Sequence, residues 1–197
     1  NDSIQLEIIQ KLQDILESHV VDLTKVIYNT NTIIPFQTKE EVIKKYRETT
    51  GQKRYYDFSF IGPQPKTLTM DNIKLNNPNS ILKDYAVTEK ADGERYELLI
   101  FNKRGYLINA KQNVIDTNVI FENYPGIWLF DGEYITKTKE NEPIQLYMVF
   151  DIYWNGNTTP EPIHTYPFLS RNTFGVSRSS VLKDFFLNVN MVKDTDS

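Results

Sequence analysis

Hydrophobic and polar residues follow a helical period in the first part of the chain. Between residues 4 and 28, apolar residues recur mostly three or four positions apart, a spacing that predicts an amphipathic helix. Thr38 to Glu41 have the pattern of a capping box, which predicts a second, shorter helix ending near Thr49. Residues 50–80 are rich in Gly, Pro and Asn and are predicted to be mostly loops.

The later part of the chain has the hydrophobic pattern of β-strands. Five stretches are rich in β-branched and aromatic residues, the composition that strands favour. In chain order they read YAVTEK, RYELLIF, YLINA, IWLFDGEYI and QLYMVFDIYW. The change of period predicts an α+β fold, in which a helical segment precedes a sheet rich in antiparallel strands.

Turn and cap signals place boundaries on this pattern. Residues 102–105 predict a hairpin turn between the second and third strands. Ser177 or Ser179 is predicted to cap a last helix. We expect residues 1–80 to be a helical lead-in and a Pro- and Asn-rich linker that packs on the core, and residues 81–197 to contain the sheet.

The composition narrows the classes of function. A chain of 197 residues that is 40% hydrophobic suits about one domain with its own core. The net charge of −4 argues against a general nucleic-acid coat, so contact with RNA or DNA needs a local basic patch. Because there is no cysteine, disulfides, thiolate metal sites and cysteine nucleophiles are excluded. No apolar run approaches the roughly 18 residues of a membrane span, so no membrane partner is expected.

A cluster of charged residues around Lys90 is the first candidate for chemistry. An exposed lysine amine has a pKa near 10.4 and is almost fully protonated at pH 7, so a nucleophilic lysine needs burial or a nearby positive charge. Lys90 ends an apolar-leaning stretch, and Asp92-Gly93 permits a tight turn in which Gly93 is free to take positive φ. That turn would bring Arg95 towards the pocket of Lys90. A solvated, charged turn is the alternative interpretation.

Two later stretches place carboxylates in apolar strands. In Phe130-Asp131-Gly132-Glu133, two acids flank a glycine. Buried carboxylates are costly unless they are paired or bound to metal, and glycine inside a strand often marks close approach of a ligand or of backbone. Residues 146–151 form an apolar stretch that ends in Asp151. The alternatives are a bulge with both acids in solvent and an ordinary core strand.

Taken in order, these stretches resemble motifs of the covalent nucleotidyltransferase superfamily, which comprises mRNA capping enzymes and polynucleotide ligases. Lys90-Ala91-Asp92-Gly93 is similar to its first motif, Phe130-Asp131-Gly132-Glu133 to its third, and Val149-Phe150-Asp151 to the motif called IIIa. The helical lead-in and the Pro-rich approach to Lys90 look like the guanylyltransferase segment of large multifunctional viral capping enzymes. The resemblance covers about residues 82–190.

The resemblance implies a fold and a set of residue roles. The fold is a nucleotidyltransferase domain of the ligase and capping type, similar to ATP-grasp, of which residues 81–197 are a part. Lys90 is the implied catalytic nucleophile, and Phe150 the implied stacking partner of the base. Glu133 is implied to bind the ribose or a divalent metal ion, Mg²⁺ or Mn²⁺. The implied nucleotide-binding residues are Glu89, Lys90, Arg95, Glu133 and Phe150, and the implied structural residues are Asp92, Gly93 and Asp131.

The implied activity is mRNA guanylyl transfer. GMP would pass from GTP to a 5′-diphosphate RNA end through a covalent lysyl-GMP intermediate. GTP and the RNA 5′ end are the implied partners, with triphosphatase and methyltransferase domains in the same polypeptide or complex, in a viral protein of the host cytoplasm. A ligase with a lysyl-AMP intermediate and a non-catalytic nucleotide-binding or scaffold module stay open as alternatives.

The sequence also departs from the family pattern. Many relatives carry Asp-Arg where this chain has Asn109-Ala110, with Lys111 as a substitute cation. The fourth and fifth motifs and the OB-fold lid are not found in these residues. We therefore expect the stretch to belong to a longer polypeptide or a split active site, and to need those parts for activity.

Overall fold

The fold consists of two helices and a sheet, with loops between them. The computed structural model describes residues 10–11, 34–52, 59–83, 85–87, 90–156, 161–170 and 175–194. In chain order its helices and strands are α1 (Phe36–Thr50), β1 (Glu94–Phe101), β2 (Arg104–Asn109), β3 (Val114–Phe121), β4 (Trp128–Lys137), β5 (Pro143–Asn155), β6 (Glu161–Pro162), α2 (Arg178–Asn188) and β7 (Met191–Lys193). A short 3-10 helix spans Met70–Ile73.

The strands form one sheet in the order β6-β5-β4-β1-β2-β3-β7, and every pairing is antiparallel. This confirms the predicted mixture of helix and antiparallel sheet. The predicted hairpin is also present, because Asn102 and Lys103 connect β1 to β2 with φ of 51° and 65°. Two positive φ angles are what a two-residue turn of type I′ requires.

The core lies on both faces of the sheet, since α1 covers one face and α2 the other. β1 is the central strand, so its residues 96–100 are all buried. The cluster on the α2 face consists of Tyr96, Leu98, Ile100, Leu107, Phe121, Trp128, Phe130, Ile152, Ile163 and Phe185. The cluster on the α1 face consists of Val42, Ile43, Tyr46, Leu99, Tyr106, Ile108, Leu129, Tyr153 and Trp154.

Both helix starts were predicted, one of them wrongly. Ser177 caps α2 and accepts a hydrogen bond from the Ser180 main-chain N–H at 3.2 Å, as expected. The capping box at Thr38 is wrong, because α1 begins three residues earlier, with Pro35 at the N-cap position and no side-chain cap. Most of the predicted helix of residues 4–28 lies outside the described residues, of which Gln10 and Lys11 are helical. No helix in the described ranges is long and apolar enough to cross a membrane.

One predicted strand is absent, and one observed strand was not predicted. The described residues of YAVTEK are in no strand, and Tyr85 and Val87 are exposed. β3 was not predicted, because the polar residues 116–118 interrupt its apolar pattern. Asn118 has a φ of 53°, and the pairing of β3 with β2 shifts between Arg104 and Tyr106. β3 is therefore bulged, and a bulge breaks the period of two that marks a strand in sequence.

Candidate active site

The three motif segments lie on adjacent strands of the sheet. β1 carries Arg95, β4 carries Asp131 and Glu133, and β5 carries Phe150. Arg95 pairs directly with Glu133, and Glu133 pairs with Met148 on β5. The segments are therefore side by side at the end of β1 that follows Lys90.

Gly93 fastens the loop before β1 to β4. Its main-chain N–H donates a hydrogen bond to Glu133 Oε1 at 3.0 Å. A Cβ on Gly93 would lie 2.5 Å from the Tyr134 carbonyl oxygen, so only glycine fits without a shift of backbone. Gly93 does not use the positive φ that a glycine is free to take. The glycine is needed for close approach of two backbones.

Lys90 is exposed to solvent at the end of this loop. Its side chain is 85% exposed, and its Nζ donates a hydrogen bond to the Ala91 carbonyl at 3.2 Å and lies 3.8 Å from Asp92 Oδ1. Lys90 is therefore not buried, and the exposed loop matches the alternative interpretation of a solvated, charged turn. The amine is accessible to a ligand. Glu89 lies outside the described residues, and the side chain of Asp92 is fully exposed.

Arg95 is bound by a buried carboxylate. Its Nε and Nη2 donate to Asp131 Oδ1 and Oδ2 at 2.9 and 2.5 Å, the bidentate geometry that guanidinium and carboxylate favour. Asp131 is fully buried and also accepts a hydrogen bond from the Tyr153 hydroxyl at 2.6 Å. The bonds to Asp131 raise the pKa of Arg95. Asp131 therefore holds Arg95 from the buried side.

A second buried carboxylate, Glu97, lies next to this pair. Glu97 is opposite Asp131 in the sheet and fully buried. Its Oε2 accepts a hydrogen bond from the Tyr46 hydroxyl of α1 at 2.6 Å. Burial raises the pKa of Glu97 to about 8, so at neutral pH it is mostly protonated, and Asp131 is the carboxylate that binds Arg95. Glu97 was missed in the sequence, although an acid inside the apolar run RYELLIF is a signal for it.

Glu133 is the carboxylate that faces the open end of this region. One of its oxygens accepts the Gly93 N–H, and its side chain is only partly buried. In the described part of the chain, no group of three or more His, Asp or Glu side chains is placed to hold a metal ion. Mg²⁺ is often held by one or two carboxylates together with substrate phosphates. The residues present fit that mode, with Glu133 as the protein ligand, and do not fit an all-protein metal site.

Phe150 lies at an irregular point of β5. Asp131 pairs with Asp151 and Gly132 with Val149, so Phe150 is the extra residue of a bulge. Bulges re-aim side chains and are frequent beside active sites. Phe150 is 40% exposed, and Leu146 and Met148, at alternate positions of the same strand, are exposed to a similar extent. An exposed aromatic ring at this place is available for stacking.

Arg178 anchors the motif segment on β5 and was missed in the sequence. Its Nε and Nη2 donate to Asp151 Oδ1 and Oδ2 at 2.7 and 3.0 Å. It also donates to the main-chain carbonyl of Tyr166. The first residue of α2 thus holds the end of the segment that contains Phe150. Its only sequence signal was an arginine directly after a predicted helix cap.

Asn109, where the sequence departs from the expected Asp, makes several hydrogen bonds of its own. Its Oδ1 accepts the main-chain N–H groups of Lys111 and Asn113 at 3.0 and 2.9 Å, and its Nδ2 donates to Glu94 Oε1 at 2.9 Å. Asn109 therefore shapes the turn that follows β2. This is a role that an amide performs as well as a carboxylate, since the oxygen only accepts.

Comparisons with known proteins agree with the motifs. Residues 19–174 match the family described as "mRNA capping enzyme, catalytic domain". The chain is 30% identical over 177 residues to a "Probable mRNA-capping enzyme" of Acanthamoeba polyphaga mimivirus. The match covers 87% of this chain and 14% of that relative, so the chain spans a small part of the relative's length. The resemblance predicted from the motifs is confirmed: this chain belongs to the family of mRNA capping enzyme catalytic domains.

Proposed function

We propose that this chain carries the GTP-binding and lysine-modifying part of an mRNA guanylyltransferase. The neutral amine of Lys90 attacks the α-phosphorus of GTP. A phosphorus–nitrogen bond forms, the bond from the α-phosphorus to the bridging oxygen breaks, and pyrophosphate leaves with the electron pair while the amine loses a proton to solvent. A terminal phosphate oxygen of a 5′-diphosphate RNA then attacks the same phosphorus, and the Lys90 amine leaves and regains a proton.

The observation that carries this proposal is the pairing of Arg95 on β1 with Glu133 on β4, at the end of the sheet where the Lys90 loop enters β1. The 3.0 Å hydrogen bond from Gly93 to Glu133 ties that loop to β4. It places the exposed Lys90 amine on the loop that leads into β1, close in the chain to Arg95, which pairs with Glu133 of β4. Arg95 is proposed to contact the ribose or the phosphates, and a fixed cation suits both. A module that only binds nucleotide would not need an exposed lysine amine on a loop that is hydrogen-bonded to β4.

The other roles follow from exposure and chemistry. Phe150 is proposed to stack on the base, because an aromatic ring fixes a base by its face. Glu133 is proposed to bind a ribose hydroxyl or, with the phosphates, a divalent ion; Mg²⁺ or Mn²⁺ would offset phosphate charge when bound. Glu89 is proposed to contact the nucleotide on the strength of the motif alone. Partner triphosphatase and methyltransferase domains and a location in the host cytoplasm stay predictions.

Label transfer tests the proposal. Full-length protein is incubated with α-³²P-GTP or α-³²P-ATP in Mg²⁺ or Mn²⁺ and run on a denaturing gel. We expect label from GTP only, absent in Lys90→Ala and retained in Lys103→Ala, a matched exposed lysine at the far end of β1. Label from ATP alone would identify a ligase. A full-length protein that takes no label from either nucleotide would overturn the enzyme proposal in favour of a binding module.

A further inference from the structure

Tyr153 makes a buried contact that the steps above do not use. It lies on β5, two residues after Asp151, and is 1% exposed. Its hydroxyl donates to Asp131 Oδ2 at 2.6 Å, the same oxygen that accepts Arg95 Nη2 at 2.5 Å. Asp131 on β4 is therefore held from both neighbouring strands, by Arg95 of β1 and by Tyr153 of β5.

These contacts fix the orientation of Arg95. Two of its three guanidinium nitrogens are bound to Asp131, and its Cζ lies 5.2 Å from the centre of the Phe60 ring. Among the described residues, its Nη1 makes no hydrogen bond. The side chain is 24% exposed. An arginine side chain ordinarily samples many rotamers. Arg95 is thus held in one orientation, and the N–H groups of its Nη1 are left to bind a ligand.

The backbone at Gly62 closes over this arrangement. A Cβ there would lie 1.9 Å from the Tyr153 hydroxyl and 2.9 Å from Arg95 Nη2. Only glycine lets this backbone approach the two groups so closely, and its φ is not positive, so space is the reason for it. The contact excludes water from the hydroxyl, and a hydrogen bond to a carboxylate is stronger in such surroundings.

We infer that Tyr153 is a positioning residue for nucleotide binding: its hydroxyl holds Asp131 so that Arg95 is aimed at the nucleotide beside Lys90. This inference rests on the proposed function and deepens it. Tyr153 acts through Asp131 and touches no substrate. Burial and the charge of Asp131 raise the pKa of Tyr153, so its hydroxyl stays a donor at neutral pH.

The test is the GTP dependence of labelling in full-length Tyr153→Phe. Removing one oxygen leaves the ring and the fold, and frees Asp131 and Arg95 to reorient. We expect the KM for GTP to rise about tenfold, the size of a lost charge-assisted hydrogen bond, with the final amount of label per folded protein unchanged. Tyr124→Phe is the matched control, because it removes a hydroxyl that donates to the Phe185 carbonyl at 3.2 Å on the other face.

Two further variants make the outcomes decisive. In an Arg95→Ala background, Tyr153→Phe should change KM by less than about twofold if it acts through Arg95. If Tyr153→Phe has the KM of the wild type while the label still depends on Lys90, the inference is overturned and the proposed function is upheld. If the wild-type protein itself takes no label, both are overturned. If thermal unfolding finds Tyr153→Phe unfolded, Gly62→Ala is used instead. Its Cβ presses on the same hydroxyl, so an unchanged KM there overturns the inference.

Discussion

The two faces of the central sheet are built from different chemistry. On the α2 face, the Phe185 ring lies 4.7 Å from that of Phe130 and 5.2 Å from that of Trp128, centre to centre. The α1 face also has an apolar cluster, but it buries two carboxylates, Glu97 and Asp131, and one partly exposed cation, Arg95. The same strands therefore carry an aromatic cluster under α2 and a charged network under α1, and a separate ion pair joins Asp151 of β5 to Arg178 at the start of α2.

This difference indicates which face serves stability and which serves chemistry. Buried charges contribute little to stability, and well-packed apolar residues often stabilise a fold more. Clusters of such groups are instead common at functional sites. Here the charged network lies where β1 meets the Lys90 loop, and α1 covers the rest of that face. On the other side, the first residue of α2 forms the Arg178–Asp151 ion pair, but the aromatic cluster around Phe185 contains no charged group. Changes in that cluster should therefore have effects separable from changes in the charged network.

The largest expected effect is on the α2 face. Phe185→Ala removes a buried ring from the centre of an aromatic cluster, and such truncations cost about 4 kcal/mol. We expect the free energy of unfolding, measured in urea, to fall by about that amount. The KM for GTP of the folded fraction should not change, because Phe185 touches no part of the charged network.

Phe186→Ala is the control for this prediction. Phe186 is the next residue on α2 and is 51% exposed, so its loss should cost much less, about 1 kcal/mol or below. If Phe185→Ala raised the KM for GTP in its folded fraction, the two faces would not be separable and the comparison would fail.

An intermediate effect is expected from Glu97 on the α1 face. Its pKa is about 8 in the folded protein and ordinarily 4.5, so between these values the folded state binds more protons than the unfolded state. Stability therefore falls as pH rises, and the Glu97 contribution drops by about 2 kcal/mol from pH 6 to pH 8. Glu97→Gln, which cannot ionise, should lack this part of the decline in urea unfolding at pH 6, 7 and 8.

Glu140→Gln gives the reference for that series. Glu140 lies exposed in the loop between β4 and β5, so its variant should keep the pH dependence of the wild type. A Glu97→Gln protein whose stability declines with pH as steeply as the wild type would show that Glu97 is ionised in the fold. Glu97 and Asp131 would then be two buried anions beside Arg95, whose one charge balances only one of them.

The motifs and most strands were predictable because their signals are local. The apolar runs of β1, β4 and β5, the cap at Ser177 and the turn at Asn102 are each encoded within a few residues. β3 was not, because its bulge breaks the local pattern. YAVTEK was predicted wrongly, because β-propensity alone does not supply a neighbouring strand to pair with.

The connections inside the site depend on residues far apart in the chain. Tyr46 is 51 residues from Glu97, and Gly62 is far in sequence from Tyr153. Nothing local distinguishes Tyr46 from the other tyrosines, or Gly62 from a loop glycine. The motif match indicated that Arg95 and Asp131 matter, but not that they bind each other. Packing decides those partners, and it left Lys90 exposed where burial was expected.

The smallest expected effect is a gain in stability at the turn between β1 and β2. Lys103 has a φ of 65°, a conformation that costs an L-residue about 1 kcal/mol and costs glycine little. Lys103→Gly should raise the free energy of unfolding by about 0.5–1 kcal/mol, measured in urea, and leave the KM for GTP unchanged. Neither face loses a buried side chain, so this variant separates stability from chemistry. A lower KM for GTP in Lys103→Gly would show that KM depends on stability. A higher KM in Tyr153→Phe would then also reflect stability. Only the Arg95→Ala background would still distinguish positioning from packing.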